Sequence, residues 1–219
     1  MKVSEAVEHR RSIRAFRPDP IPAATVRELL ERAGRAPSGG NLQPWHVHAV
    51  TGERLAALLA QVRANGPDAA PSYAIYPDNL WEPYRSRRFK CGEDLYASIG
   101  IPREDKAGRF RQLARNTEFF GAPVGVFFLI ERNMGPPQWS DLGMYIQTLM
   151  LLAIEQGLDT CAQEYWSVFS RTVEGFLEAP PEQMLFCGMA LGFRDPDAPI
   201  NTWRTDRDPL EAWGHLHGF

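Results

Sequence analysis

Cysteine is scarce in this chain of 219 residues. Cys91, Cys161 and Cys187 are far apart, odd in number and form no Cys-x-x-Cys. That argues against a disulfide framework and a cysteine-based zinc site, and it fits a reducing compartment, the cytoplasm. Lysine is as scarce: Lys2, Lys90 and Lys106 stand among 24 basic residues, and the other 21 are arginine. The net charge of −3 gives no global attraction for nucleic acid. No apolar run is long enough to span a bilayer, since the longest, 142–154, is short and holds Gln147. The N-terminal MKVSEAVEHRRS is charged and amphipathic, unlike a signal peptide.

Several catalytic signatures are missing too. No glycine-rich dinucleotide fingerprint follows a strand, and no GxxxxGK[ST], GxSxG or HExxH occurs. The pair His46 and His48 would share one strand face, but no third ligand stands nearby, so strand packing is the better reading. Cys161 has no histidine near it in sequence and reads as a buried structural thiol.

What is present is an ordinary folded composition, with 44% hydrophobic and 23% charged residues. Periodicity predicts helices over 3–9, 25–35, 52–64, 139–156 and 169–178, and two helices within 84–119 broken at Gly100-Ile101-Pro102. Strands are predicted over 45–51, 123–131, 160–165 and 184–193. The 139–156 helix is apolar nearly all round, which places it in a core or between subunits. Residues 65–83 hold four prolines and no period, the pattern of a long functional loop. A single domain of helices around a small sheet is the simplest architecture.

Two segments carry candidate chemistry. RRSIR places Arg10, Arg11 and Arg14 around Ser12, a donor set that suits a phosphate dianion. Arginine runs are more often solvated helix ends, and on this segment alone that reading stands ahead. PSGGNLQPW offers backbone N–H groups, the Ser38 hydroxyl and the amides of Asn41 and Gln43 on a turn. Such amides match the donor and acceptor edges of a heterocycle. A helix cap and turn explain Gly39 and Gly40 without a ligand, but explain Asn41 and Gln43 together less well.

HRRSIRAF (9–16), APSGGNLQPW (36–45), DLGMYIQTLMLLAIEQGLDTCAQE (141–164) and GMALGFRDPDAPINTWRTDR (188–207) follow one another in order. In these four blocks the sequence resembles the FMN-dependent nitroreductase superfamily, in its nitrobenzoate-reductase-like branch. The resemblance implies an α+β fold, with a central, mostly antiparallel sheet flanked by helices. It also implies an intertwined homodimer with FMN at the interface. By position, Arg10, Arg11, Ser12 and Arg14 would hold the phosphate, ribityl chain and pyrimidine edge. Pro37, Ser38, Gly39 and Asn41 would reach the flavin from the other subunit. Gln163 and Glu164 would lie where a backbone N–H faces flavin N5. Arg207, with Arg204 as a second candidate, would hold the phosphate; where several relatives have a lysine this chain has Thr205.

The resemblance further implies an NADH- or NADPH-dependent oxidoreductase that reduces nitroaromatic or related aromatic acceptors by a ping-pong mechanism. The cofactor carries the chemistry, so no residue is named as an obligatory acid or base, and no metal is expected. Residues 1–219 are expected to form one domain, with 66–120 as a substrate-pocket or lid insertion and 195–219 as a C-terminal arm. In or beside that insertion stand Tyr73, Tyr76, Trp81, Tyr84, Phe89, Tyr96 and Phe119, with Arg85, Arg87 and Arg88 available to a substrate carboxylate. Rival readings are reductive dehalogenation or other flavin chemistry on the same fold, and a non-enzymatic flavin-binding redox sensor.

Overall fold

The computed structural model describes residues 1–219. Its centre is a four-stranded sheet of β1 (His46–Thr51), β2 (Val124–Glu131), β3 (Asp159–Gln163) and β4 (Gln183–Gly192). The order is β1-β2-β4-β3 and every pairing is antiparallel. The only parallel pairing is an isolated bridge between Ser12 and Thr160.

The run VGVFFLIE lands in the interior strand β2, where both faces are covered and a continuous apolar sequence is required. Val124, Val126, Phe128 and Ile130 join a core beneath α2 (Ala23–Ala33) and α6 (Pro136–Glu155). Phe127 and Leu129 point the other way, into a core with α3 (Gly52–Asn65) and α7 (Ser170–Phe176). On that second face Phe119 and Trp166 stack 4.6 Å apart. They lie so close to the sheet that a Cβ on Gly125 would sit 2.5 Å from the Phe119 ring, and one on Gly188 2.3 Å from the Trp166 ring. Phe119 is therefore a core residue, not part of a substrate wall.

Helix α6 begins at Pro136, three residues before the expected start, because proline is tolerated in the first turn. It is not buried all round. Leu142, Tyr145, Ile146, Leu149 and Ala153 face the sheet, whereas Met144 remains 37% exposed and Thr148 and Leu151 are only half-buried.

No helix or strand forms over 66–83; α4 (Tyr84–Ser98) and α5 (Lys106–Ala114) follow. Polar contacts hold this region, since α4 buries no residue. Arg109 pairs with both oxygens of Glu93 at 2.5 and 3.0 Å, and Arg88 lies 4.1 Å over the Tyr76 ring. Tyr73 anchors the loop to the body: its hydroxyl donates to the Phe186 carbonyl while its ring stacks on Phe186. Lys90 Nζ reaches Asp206 at 2.8 Å and Arg87 pairs with Asp208, which fastens α4 to residues 206–208. No helix is long and apolar enough to cross a membrane.

Candidate functional site

Helix α1 (Val3–His9) ends at Arg10, whose backbone turns extended. From there side chains alternate. Ile13 and Ala15 are buried, Ile13 N–H donates to the Thr160 carbonyl at 3.0 Å, and the segment lies along β3. Arg10, Ser12 and Arg14 share the opposite side. The chain after β4 returns to the same place, where Asp195 N–H donates to the Ala15 carbonyl at 3.0 Å. Residues 203–207 then close a cleft of about 320 Å³ lined by Arg10, Arg11, Ser12, Arg14, Gln147, Arg204 and Arg207.

Five guanidiniums thus converge from the two ends of the sequence. None has a carboxylate within 4 Å, although eight other arginines of the chain do. Burial, and then repulsion from Arg207 and Arg204, pulls the Arg10 pKa below its ordinary value. Arg11 is lowered by burial and by Arg194, against an opposing pull from Asp159. Such uncompensated positive charge suits an anion with several acceptor oxygens, above all a phosphate dianion. Both C-terminal arginines line the cleft. Arg204 is tied by a hydrogen bond to the Glu8 carbonyl. Arg207 Nη1 donates to Thr205 Oγ1 at 2.7 Å. Thr205 thus orients the neighbouring guanidinium instead of adding a cation.

Within β3 the stretch from Thr160, beside Ser12, to Gln163 spans about 10 Å. Gln163 is buried and its Oε1 has no hydrogen-bond partner; neither has the buried Thr160 Oγ1. Gln163 Nε2 donates to the carbonyl and side-chain oxygens of Asn116 at 2.9 and 3.0 Å. Glu164 is exposed and opens a 3₁₀ turn over Glu164–Phe169, so β3 ends before the expected Tyr165.

Pro37, Ser38, Gly39 and Asn41 lie elsewhere and line no part of this cleft. Their loop is nonetheless preformed. Gln43 N–H donates to Ser38 Oγ at 3.0 Å, Gly39 N–H donates to Asp141 Oδ2 at 3.2 Å, and Gly40, Asn41 and Gln43 all have positive φ. Two non-glycine residues in that region are a local cost found most often at functional loops. Asp141, Asn116 and Gln147 escaped the sequence reading. Asp141 and Asn116 are lone polar residues whose partners come from distant segments, and Gln147 is a lone polar residue on an apolar helix that reaches the cleft.

The Nitroreductase family model matches residues 7–193. Over 97% of its length, and 94% of the relative's, the chain is 41% identical to a 4-nitrobenzoate reductase of Pseudomonas putida. The FMN and NADPH-dependent nitroreductase NfnB of Sphigopyxis sp. strain HMH superposes with a TM-score of 0.96 at 47% identity, each chain covered fully. The FMN-dependent NfnB of Mycobacterium smegmatis, solved in complex with NADPH, gives 0.91 at 30% identity, covering 99% of this chain and 100% of its own. The chain belongs to the nitroreductase family.

Proposed function

We propose that the chain is an FMN-dependent oxidoreductase that uses NADPH or NADH to reduce nitroaromatic acceptors, aromatic acids among them. The observation that carries this reading is the cleft of five unpaired guanidiniums laid along β3. Arg10, Arg11, Arg14, Arg204 and Arg207, with the Ser12 hydroxyl, would hold the phosphate of FMN. Gln163 and Glu164, at the other end of β3, would lie beside the flavin ring. The orphaned Gln163 Oε1 and Thr160 Oγ1 fit such a neighbour, because buried polar atoms otherwise require partners. Bound there, FMN would supply two-electron transfer between the nicotinamide and the nitro group. The arginines supply positive charge and hydrogen bonds that orient the anion, and the apolar rings on the sheet keep water from one side of β3.

A homodimer completes the proposal. Pro37, Ser38, Gly39 and Asn41 would serve the partner's site, and the uncovered α6 face around Met144 and Leu151 would be the surface that meets the other chain. Residues 1–219 form one unit in this reading. Within it, 66–120 would shape the substrate side through Tyr76, Trp81 and Tyr84, all exposed, and Arg88 would be placed to meet a carboxylate. The arm 195–219 would brace the phosphate end. Three free thiols suit the reducing cytoplasm.

Anaerobic stopped-flow mixing tests the reading. NADPH or NADH should bleach the flavin of the FMN-loaded chain, and 4-nitrobenzoate should restore its colour. A chain that binds no FMN, or whose flavin neither donor reduces, refutes it.

A further inference from the structure

We infer that Asn201 is a positioning residue that assembles the phosphate site, by fastening the arm that carries Arg204 and Arg207 onto the segment that carries Arg10 and Arg14. The inference rests on the phosphate reading of the cleft and concerns a residue that touches none of the cleft's open space.

Asn201 closes a short 3₁₀ turn, Pro199–Asn201, and is 4% exposed. Its side chain spends its donors and an acceptor on two chain segments. Oδ1 accepts from Arg14 N–H at 2.9 Å, and Nδ2 donates to the Ala15 carbonyl at 2.8 Å and to the Asp195 carbonyl at 2.9 Å. The first two bonds pin the backbone of the N-terminal motif; the third pins the start of the arm. Only a primary amide offers two donors and an acceptor in so small a volume. An aspartate would set a carboxylate against two carbonyl oxygens, and a leucine would leave Arg14 N–H and the Asp195 carbonyl without a partner, since the Ala15 carbonyl also accepts from Asp195 N–H.

The cleft needs such a device. Its arginines repel one another, and repulsion from Arg207 and Arg204 adds to burial in lowering the Arg10 pKa, so without phosphate the charges of the cleft do not themselves draw the arm toward the motif. Arg204 reaches across only to the Glu8 carbonyl, and Arg207 bonds only within its own arm, to Thr205 and the Asp206 carbonyl. Asn201 supplies a neutral link just before these two cations. It allows like charges to be held at one anion site before the anion arrives, which is pre-organisation in the physical sense.

The test uses the full-length chain freed of flavin. FMN and riboflavin are titrated separately, with flavin fluorescence as the readout, into the wild type, Asn201→Ala, Asn201→Ser, Arg207→Gln and the Asn201→Ala/Arg207→Gln double variant. Preference for FMN over riboflavin in the wild type checks the phosphate reading itself, and its absence refutes that reading and this inference together. Given that preference, Asn201→Ala should weaken FMN about tenfold and riboflavin less than about twofold. The double variant should bind FMN less weakly than the two single losses multiplied together, because part of the Asn201 effect acts through Arg207. Equal losses for FMN and riboflavin, or losses that add in full, overturn the inference while the phosphate reading stands. Where Asn201→Ala does not fold, Asn201→Ser, whose hydroxyl still donates to one carbonyl, gives the same comparison. Failure of both variants to fold makes Asn201 a general structural residue and likewise overturns it.

Discussion

Gln163 donates both hydrogens of its amide to Asn116, one to the carbonyl and one to the side-chain oxygen, and so joins the end of β3 to the 3₁₀ turn at Arg115–Gly121. The arrangement admits a donor at this position and no anion. Gln163→Glu would bury a carboxylate against two oxygens, and it should cost about 2–4 kcal/mol of folding stability in urea. Asn116→Ala keeps the backbone acceptor and should cost about 1 kcal/mol. A Gln163→Glu chain as stable as the wild type would mean that the two amides do not meet.

The arginine cleft predicts opposite signs for affinity and stability. Arg207→Gln removes a charge-assisted contact to phosphate, so FMN affinity should fall about 10- to 100-fold while riboflavin affinity holds. The same change removes one of the charges that depress Arg10. The flavin-free variant should therefore melt at or slightly above the wild-type temperature, by no more than the few tenths of a kcal/mol an exposed charge pair supplies. Fluorescence titration and thermal melting of one preparation check both signs. A variant that loses affinity and stability together has lost structure instead.

Asp159 and Arg194 form a bidentate pair behind this cleft, at 2.7 and 2.5 Å, with the carboxylate nearly fully buried. Asp159→Asn leaves the guanidinium unpaired and should cost about 2–4 kcal/mol, toward the lower figure because Arg194 is 30% exposed. Asp159 also offsets the positive field at Arg11. The folded fraction of the variant should accordingly bind FMN at least as tightly as the wild type. Chemical denaturation followed by titration separates the two effects.

Gly188 is required by the Trp166 ring rather than by the strand. Gly188→Ala would force a Cβ to within 2.3 Å of Trp166 Cδ1, with the stacked Phe119 behind it. Overpacking of this kind should cost about 1–3 kcal/mol and shift the Trp166 emission. Gly188→Ala at wild-type stability would show that the ring has room to move.

The sheet was legible because its chemistry is periodic. β2 follows a run of apolar residues and β4 another, and the observed strands begin and end within two residues of the expected ones. The start of α6 was not, because Pro136-Pro137 reads as a break unless its place in a first turn is known. In the site, Arg10, Arg11 and Arg14 could be read as a phosphate-suited donor set around Ser12, although an arginine run alone reads first as a solvated helix end, and Arg204 and Arg207 were legible only through the family resemblance. Asn116, Asp141 and Asn201 were not. A single polar residue carries no pattern, and the partners that give Asn201 its place lie 186 and 187 residues away along the chain. The loop at 37–41 was legible as a loop, but its remoteness from the cleft shows only in three dimensions.

Tyr145 gives the pH dependence a sign. Its ring is buried in the core of α6, its hydroxyl donates to the Leu30 carbonyl at 3.1 Å, and burial pushes its pKa from 10.0 up to about 12. Below pH 10 the phenol is protonated in both folded and unfolded chains, and its stabilising contribution is complete. Between pH 10 and 12 the unfolded chain gives up the proton first, so stability falls by up to about 1.4 kcal/mol per pH unit for this group. Tyr73, raised in the same direction mainly by burial, adds to the fall. Tyr145→Phe loses one hydrogen bond and should be about 1 kcal/mol less stable than the wild type at pH 8. It also loses the titration, so the gap should close as pH rises past 10 and reverse near pH 11. Urea midpoints measured at intervals from pH 8 to 11.5 follow the gap directly. A gap that stays constant across that range would show that the phenol ionises as readily in the folded chain as in the unfolded one.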